Sequence, residues 1–203
     1  MNAHTLDPYI RWHHSAVTQS MRESRNGHRG ILVWFTGLPT SGKSTLAHGL
    51  EELLFADGHC PYVLDGDNLR HGLCRDLGFS QADRAENIRR IGELAKLFVN
   101  AGFITLAAFI SPYARDRKDV RELVGRDRFV EVYCRCPIEV CESRDRKGNY
   151  TKARAGIITS FTGISAPYEE PSSPDLVIDT AQSSVEQSVA TLHTCLRSRQ
   201  TFA

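Results

Sequence analysis

The chain of 203 residues has the size of one domain with a buried core, and its 25 basic and 24 acidic residues leave a net charge of +1. This balance gives no electrostatic reason to expect a nucleic acid or an anionic membrane as a partner. No apolar run approaches the roughly 20 residues that span a bilayer, and the N-terminus lacks the layout of a secretory signal, so we expect a cytoplasmic protein.

Residues 1–29 are predicted to form an N-terminal extension, because they are polar apart from a short apolar cluster at residues 9–12. We expect this extension to lie on the surface or on a partner subunit. The adjacent residues His13 and His14 would point in different directions on an irregular segment, so a solvated role is favoured over a metal site. Residues 30–203 are predicted to form one further domain.

A phosphate-binding loop follows the first predicted strand, residues 31–36, which begins with the apolar run at residues 31–35. The loop fits the pattern G-x-x-x-x-G-K-[ST] between a strand and a helix, where backbone N–H groups and the helix N-terminus hold phosphates. Lys43 is predicted to reach the β- and γ-phosphates of a nucleoside triphosphate, and the Ser44 hydroxyl to help hold Mg²⁺. The predicted loop residues are Gly37, Leu38, Pro39, Thr40, Ser41, Gly42, Lys43, Ser44 and Thr45.

Beyond this loop, short apolar runs alternate with longer amphipathic ones, which is typical of a parallel sheet covered by helices. One helix is predicted to end near Gly58, a second to begin at Ser80 and end near Gly102, and the last to begin at Ser183, with Glu186 three residues on. The predicted fold is α/β, a three-layer sandwich of the P-loop NTPase type with a parallel five-stranded sheet flanked by helices. The strands are predicted near residues 31–36, 61–64, 104–110, 128–134 and 175–178.

Carboxylates follow the second predicted strand, at Asp65 and Asp67. Carboxyl ends of strands face the ligand crevice of an open α/β sheet, where a carboxylate can bind Mg²⁺ or accept the proton of an attacking hydroxyl. A solvated turn is the alternative. The third predicted strand ends in Ser111 and Pro112 rather than in an aspartate. Asp65 is therefore favoured as the Mg²⁺ ligand or as the group that accepts the hydroxyl proton.

Basic residues are predicted to converge on the same crevice. Arg84 and Asn87 share a face of the second predicted helix, and Arg70 lies upstream of them. Converging arginines suit a phosphate or sulfate group, whereas ordinary solvated helix charge is the alternative.

One long segment, residues 144–174, is rich in basic residues, glycine and proline and interrupts the alternation of strands and helices. A loop of this length inside a compact domain is usually a lid or a binding segment, and phosphoryl transfer needs one to keep water from the γ-phosphate. A disordered basic loop is the alternative, although Phe161 and Tyr168 give the segment side chains to bury.

The six cysteines are scattered, as expected of reduced thiols in the cytosol. A metal site at Cys134, Cys136 and Cys141 is disfavoured, because the second half of the usual zinc spacing is missing.

Taken together, the motifs resemble the adenylylsulfate kinase family. They run in unbroken order from about residue 30 to residue 170, and as a set they are far more specific than the phosphate-binding loop. The motifs are Asp65-Gly66-Asp67-Asn68-Leu69-Arg70-His71-Gly72-Leu73, Leu77-Gly78-Phe79-Ser80, Asp83-Arg84-Ala85-Glu86-Asn87-Ile88-Arg89-Arg90, Phe109-Ile110-Ser111-Pro112, Lys152-Ala153-Arg154-Ala155-Gly156 and Phe161-Thr162-Gly163-Ile164.

The resemblance implies a kinase that uses MgATP to phosphorylate the ribose 3′-hydroxyl of adenosine 5′-phosphosulfate, giving 3′-phosphoadenosine 5′-phosphosulfate and ADP. It further implies a homodimer that works beside ATP sulfurylase, with Arg144 at the ATP site, Lys43, Asp65 and Ser111 as catalytic residues, and Ser44 and Asp65 as metal ligands. Phe79 and Phe161 would sandwich the adenine of the acceptor. The implied acceptor-binding residues are Asp65, Asp67, Arg70, Phe79, Arg84, Asn87, Ile110, Ser111, Lys147 and Phe161.

Two stretches depart from the family pattern. Pro39 and Thr40 stand where Ser-Gly is more usual, and Cys134-Arg135-Cys136 replaces a more usual aspartate-containing strand end, so the residues beside the nucleotide base stay open. Another small-molecule P-loop kinase, for a nucleoside or a sugar acid, is one alternative to this interpretation. A nucleotide switch is the other, since residues 145–148 fit the short D-x-x-G pattern, but no guanine motif follows.

Overall fold

Five strands are present in the computed structural model, which describes residues 9–202: β1 (Ile31–Thr36), β2 (Pro61–Asp65), β3 (Ile104–Ala108), β4 (Phe129–Arg135) and β5 (Leu176–Asp179). They form one parallel sheet in the order β2-β3-β1-β4-β5. Every residue of the central strand β1 is buried, which explains its continuous apolar run. The predicted α/β fold and all five predicted strands are confirmed, within a few residues at each end.

Helices cover both faces of the sheet. They are α1 (Gln19–Asn26), α2 (Lys43–Ala56), α3 (Gly66–Arg70), α4 (Gln81–Asn100), α5 (Ala114–Val124), α6 (Ile138–Ser143), α7 (Asn149–Arg154) and α8 (Val185–Ser198), with a short 3-10 helix at Arg126–Arg128. Apolar residues of α2 and α8 form one buried cluster with the sheet, and those of α4 and α5 form the other. The sheet is therefore the middle layer of a three-layer sandwich.

Parallel pairing brings the carboxyl ends of the central strands to one edge of the sheet. Asp65 at the end of β2 pairs with Ala108 at the end of β3, and Phe35 of β1 pairs with the same residue. The loops that follow β1, β2 and β3 therefore open at this edge, which is where α/β proteins of this type hold ligands.

Two predicted helix ends are confirmed. Gly58 follows α2 with a φ of +82°, and the amide of His59 closes the helix on Leu54 O at 3.0 Å. Ser80 is the N-cap of α4 and accepts a hydrogen bond from the Asp83 amide at 3.1 Å.

The predicted start of the last helix is wrong by one residue. Ser184 is the N-cap, and the capping box pairs it with Gln187, whereas Ser183 belongs to the preceding turn through its bond to Asp179 O. The sequence contains two overlapping capping-box patterns, and the turn after β5 selects the second.

Part of the predicted N-terminal extension is helical. Helix α1 lies against the end of α4, where Gln19 Nε2 donates to Val99 O at 3.1 Å and Asn26 Nδ2 donates to Gly102 O at 3.0 Å. This helix was not predicted, because the residues that stabilise it lie more than 70 positions away in the chain. Residues 1–8 of the extension lie outside the described residues. Within residues 9–202, no helix is long and apolar enough to cross a membrane.

Candidate active site

The loop between β1 and α2 has the backbone of a phosphate cradle. Gly37 has a φ of +153°, and a Cβ there would lie 2.6 Å from Cys134 O, so no other residue fits. Gly42, with a φ of +92°, is the residue before α2. The two glycines let the loop turn its backbone towards the helix N-terminus without a side chain in the way.

Lys43 lies at the centre of this loop and is only 8% exposed. Its Nζ donates hydrogen bonds to Leu38 O at 2.6 Å and to Gly37 O at 3.0 Å. Burial lowers the pKa of Lys43 to about 8, with a smaller opposing influence from nearby acidic groups. A buried ammonium of this kind is stabilised by a neighbouring anion, and a phosphate group is the anion that this loop suits.

Ser44 and Asp65 meet across the mouth of the loop, where Ser44 Oγ donates to Asp65 Oδ2 at 2.7 Å. The second oxygen of Asp65 caps α3 by accepting from the amides of Asp67 and Asn68, at 2.9 and 3.3 Å. The cap fixes the carboxylate, so that Oδ2 points to the phosphate-binding loop. The structure thus brings together the two residues predicted as metal ligands.

Thr40 replaces a more usual glycine and keeps a positive φ of +59°, a conformation that costs free energy for a β-branched residue. Its Oγ1 lies 2.6 Å from both Pro39 O and Cys141 O, so the hydroxyl ties the loop to α6. Tyr150 of α7 adds a second tie, since its hydroxyl donates to Pro39 O at 3.0 Å. These two contacts attach the phosphate-binding loop to the helices that follow β4, and the Thr40 contact depends on the departure from the family pattern.

We expect Thr40→Ala to lower the free energy of unfolding by about 1 kcal/mol, because the hydrogen bond from the Thr40 hydroxyl to Cys141 O is lost. Thr40→Ser keeps the hydroxyl and serves as the matched control. Urea denaturation of both variants measures the difference. An alanine variant as stable as the unmodified protein would show that the tie contributes nothing.

A cleft of about 620 Å³ extends from the loop to the start of α8. Arg144, predicted at the ATP site, lies in this cleft and donates to Thr180 O at 2.7 Å. The cleft residues on the α8 side were not predicted, because only the fold brings the turn after β5 next to the loop. The cleft is lined by Thr40, Gly42, Lys43, Ser44, Thr45, Leu46, Arg144, Arg146, Thr180, Ser183, Ser184, Val185 and Ser188.

The predicted acceptor residues on α4 and its preceding loop form a connected group. The Arg70 guanidinium carbon lies 4.4 Å from the ring centroid of Phe79, which is 60% exposed. Arg84 donates to Phe79 O at 3.0 Å and to Ser160 O, the residue before Phe161, at 2.7 Å. One arginine thus holds the backbones of both segments that carry the predicted aromatic residues.

Phe161 packs edge-on against Tyr150, with ring centroids 4.8 Å apart and an interplanar angle of 74°. A second bridge to the 144–174 segment runs from Lys147 Nζ to Asp67 Oδ2 at 2.6 Å, where both side chains are more than 70% exposed. On α4, Asn87 is buried, and its Oδ1 has no hydrogen-bond partner among the described residues. This amide oxygen is available to a ligand.

Ser111 lies in the turn that follows β3, has a φ of +41° and is 2% exposed. Its Oγ accepts from Trp34 Nε1 at 3.0 Å and donates to Thr36 Oγ1 at 2.9 Å. Thr36 in turn donates to the carbonyl of Ile110, another predicted acceptor residue, at 2.8 Å. The Ser111 hydroxyl is thus already committed to neighbouring side chains.

Arg117 supports the same turn, although nothing in the sequence marked it. It is buried against Glu131 at 2.8 Å and donates to Ser111 O and to Glu169 O, each at 2.7 Å. Through Glu169 it also holds the end of the 144–174 segment. Its burial is what sets Arg117 apart on this polar helix, and burial cannot be seen in a single sequence.

The three cysteines considered as a metal site are buried free thiols. Burial raises the pKa of Cys134 and Cys141 to about 12, so both are protonated at neutral pH. Within residues 9–202, no group of three or more His, Cys, Asp or Glu side chains has the arrangement to hold a metal ion.

The chain is similar to proteins of known identity. The family model described as adenylylsulphate kinase matches residues 29–179. An adenylyl-sulfate kinase of Geotalea uraniireducens is 61% identical over 183 residues, covering 90% of this chain and 88% of that protein. The matched part of the chain contains every predicted site residue, from Gly37 to Phe161.

Solved structures show the same likeness. The Mycobacterium tuberculosis APS kinase CysC, in complex with AMPPNP and APS, has a TM-score of 0.80 at 48% identity, covering 84% of this chain and 99% of that chain. A hexameric APS kinase from Thiobacillus denitrificans has a TM-score of 0.65 at 32% identity, covering 88% of this chain but 31% of that chain.

Proposed function

This chain belongs to the adenylylsulphate kinase family, and from that membership we propose how its residues carry out the reaction. The family predicted from the motifs is thereby confirmed. The protein is an ATP-dependent kinase that transfers the γ-phosphoryl group of ATP to the ribose 3′-hydroxyl of adenosine 5′-phosphosulfate. The products are 3′-phosphoadenosine 5′-phosphosulfate and ADP. The two alternatives, a different small-molecule kinase and a nucleotide switch, are set aside.

We place ATP with its phosphates on the loop at residues 37–45 and its base in the cleft towards Thr180. Lys43 neutralises charge on the transferring phosphoryl group, as the buried ammonium at the loop centre allows. Arg144 lies on the base side of the cleft, where its bond to Thr180 O joins the turn after β5 to the helix pair after β4. The observation that supports this placement is that the loop, Lys43 and Arg144 all line one cleft.

Ser44 and Asp65 are the residues that would hold Mg²⁺. A hydroxyl and a carboxylate are the hard oxygen ligands this ion prefers, and two protein ligands suffice because Mg²⁺ keeps water and phosphate oxygens as the others. Their oxygens lie 2.7 Å apart, so one ion could contact both. When bound, Mg²⁺ supplies positive charge that offsets the charge developing on the phosphate oxygens.

For the acceptor, we place the adenylylsulfate between the α4 side and the 144–174 segment. The base stacks on Phe79 and Phe161, and Arg84 joins the two segments that carry them by donating to Phe79 O and to Ser160 O. Asn87 offers its unpaired Oδ1 to the ligand, and Arg70 supplies charge for the phosphosulfate. Asp67, Lys147 and Ile110 complete this side of the site, with the Asp67 and Lys147 pair joining its two walls.

Transfer is direct, from ATP to the acceptor. The 3′-oxygen attacks the γ-phosphorus, the bond to the β,γ-bridging oxygen breaks, and ADP carries that oxygen away. The hydroxyl proton passes to Asp65 or to water. Ser111 contributes alignment, because its hydroxyl already bonds to Trp34 and Thr36 and its neighbours offer no base to activate it.

We expect Phe79→Ala and Phe161→Ala each to weaken acceptor binding by about 1–3 kcal/mol, the usual worth of a base stacked on an aromatic ring. ATP binding should change little. Phe55, which is 74% exposed on α2, provides the matched control as Phe55→Ala. Titration calorimetry with each ligand measures the effect. A loss of ATP affinity with normal acceptor binding would show that the two pockets are assigned in reverse.

The test of the whole proposal is a coupled ADP-release assay with adenosine phosphosulfate, gluconate and nucleosides offered in parallel as acceptors. We expect turnover with adenosine phosphosulfate alone. Phosphorylation of another acceptor in its place would contradict the proposal. We also propose a cytoplasmic homodimer that takes its acceptor from ATP sulfurylase, and light scattering of the purified protein tests the dimer.

A further inference from the structure

We propose that Arg146 is an additional phosphate-binding residue, which closes over the β- and γ-phosphates of ATP from the side opposite the loop. The proposal rests on the proposed function in one respect, namely that ATP binds in the cleft beside Lys43. It adds a contact that the phosphate-binding loop does not supply.

The position of Arg146 is the first observation. It lines the cleft of about 620 Å³ together with Lys43, Ser44 and Thr45, although it lies a hundred residues away in the sequence. Those three residues are the ones expected nearest the terminal phosphates. A cation on this wall therefore faces the most negative part of the nucleotide.

The second observation is that the neighbouring basic residues are engaged and Arg146 is not. Arg144 bonds to Thr180, Lys147 pairs with Asp67, and Arg154 pairs with Glu142. Within the part of the chain that the structure describes, the Arg146 side chain makes no hydrogen bond or ion pair. Its five N–H donors are exposed and available to a ligand.

The backbone that carries Arg146 is fixed. Asp145 holds the turn, since its carboxylate accepts from the Lys147 amide at 3.2 Å and from the Tyr150 amide at 2.7 Å. The amide of Arg146 itself bonds to Arg144 O at 3.0 Å. Only side-chain rotation is then needed to bring the guanidinium to a phosphate, so little conformational entropy is lost when the contact forms.

Chemistry favours the terminal phosphates as the target. A guanidinium presents two parallel N–H groups that match two phosphate oxygens, and such charge-assisted pairs are stronger than neutral hydrogen bonds. The loop otherwise offers one ammonium, from Lys43, and backbone dipoles to a triphosphate. A second cationic side chain would share the charge that moves to the β-phosphate as the γ-phosphoryl group leaves.

The test is direct nucleotide binding, measured by calorimetry with Mg²⁺ and no acceptor, using the β,γ-imido analogue of ATP, ADP and AMP. For Arg146→Ala we expect the Kd of the ATP analogue to rise about 10- to 100-fold, that of ADP to rise also, and that of AMP to stay nearly unchanged. Arg146→Lys keeps the positive charge but not the paired N–H donors of the guanidinium. Its Kd for the ATP analogue should lie between those of the unmodified protein and of Arg146→Ala. Arg197, an exposed residue near the end of α8, provides the matched control as Arg197→Ala.

Two results would overturn the proposal: unchanged Kd values for the ATP analogue and ADP in Arg146→Ala, or a loss of affinity for AMP as large as that for the ATP analogue. Thermal unfolding of each variant shows whether the fold is intact, and Arg146→Lys remains informative if the alanine variant is unstable. Because the binding measurement contains no acceptor, it stays valid if the acceptor assignment fails. That assignment is judged separately by the ADP-release assay of the unmodified protein.

Discussion

Lys43→Ala is expected to lower the turnover number about 1000-fold or more while the protein stays folded. The ammonium is buried at the centre of the phosphate-binding loop, so no neighbouring lysine can take its place. Loss of the ammonium should not unfold the protein, because burial disfavours the charged form of Lys43 and lowers its pKa to about 8. The ADP-release assay at saturating ATP and acceptor measures the loss.

The control is Lys118→Ala, which removes an exposed lysine of α5 that forms a long ion pair of 3.9 Å with Glu122. This variant should keep full turnover. Circular dichroism and thermal unfolding establish that Lys43→Ala is folded. A folded Lys43→Ala protein with near-normal turnover would remove the physical basis for assigning the nucleotide to this loop.

The phosphate-binding loop and the strands could be predicted because their signals are local. The loop motif is contiguous, and a central strand buried on both faces is a run of apolar residues, as residues 31–36 show. The parallel arrangement alone predicted that Asp65 lies at the edge of the sheet where the strands end. Helix ends with one clear signal, such as Ser80 and Gly58, were also correct.

What the sequence did not reveal depends on contacts between distant residues. Arg117 looks like any charged helix residue until β4 and the turn at Ser111 surround it. The same holds for Arg84, which was predicted to face a ligand but also donates to Phe79 O and to Ser160 O, the latter 76 residues away in the chain. Thr40 was recognised as a departure, yet its bond to Cys141 needed the fold.

Replacement of Asp65 should lower the turnover number far more than replacement of Ser111. We expect Asp65→Asn to lower turnover about 1000-fold, because the amide can still cap α3 but carries no charge for Mg²⁺ or for the attacking hydroxyl. Ser111→Ala should retain turnover within about tenfold, since direct transfer requires alignment rather than a relay through this hydroxyl. Single-turnover and steady-state assays of both variants measure the contrast.

Ser111→Ala has a second expected effect, on stability. Trp34 is fully buried, and its indole N–H donates to Ser111 Oγ, so the alanine variant leaves a buried donor unpaired. We expect a loss of about 1–3 kcal/mol in the free energy of unfolding, measured by urea denaturation of Ser111→Ala and of the unmodified protein.

A phosphoserine intermediate would require the same hydroxyl to leave Trp34 and Thr36 and to take a bulky dianion into a site that is 2% exposed. Direct transfer needs neither change. Mass spectrometry of the enzyme quenched during turnover decides between the two mechanisms. Phospho-Ser111 enzyme that forms from ATP and discharges onto the acceptor at the rate of turnover would overturn direct transfer, and Ser111→Ala would then be inactive for a chemical reason.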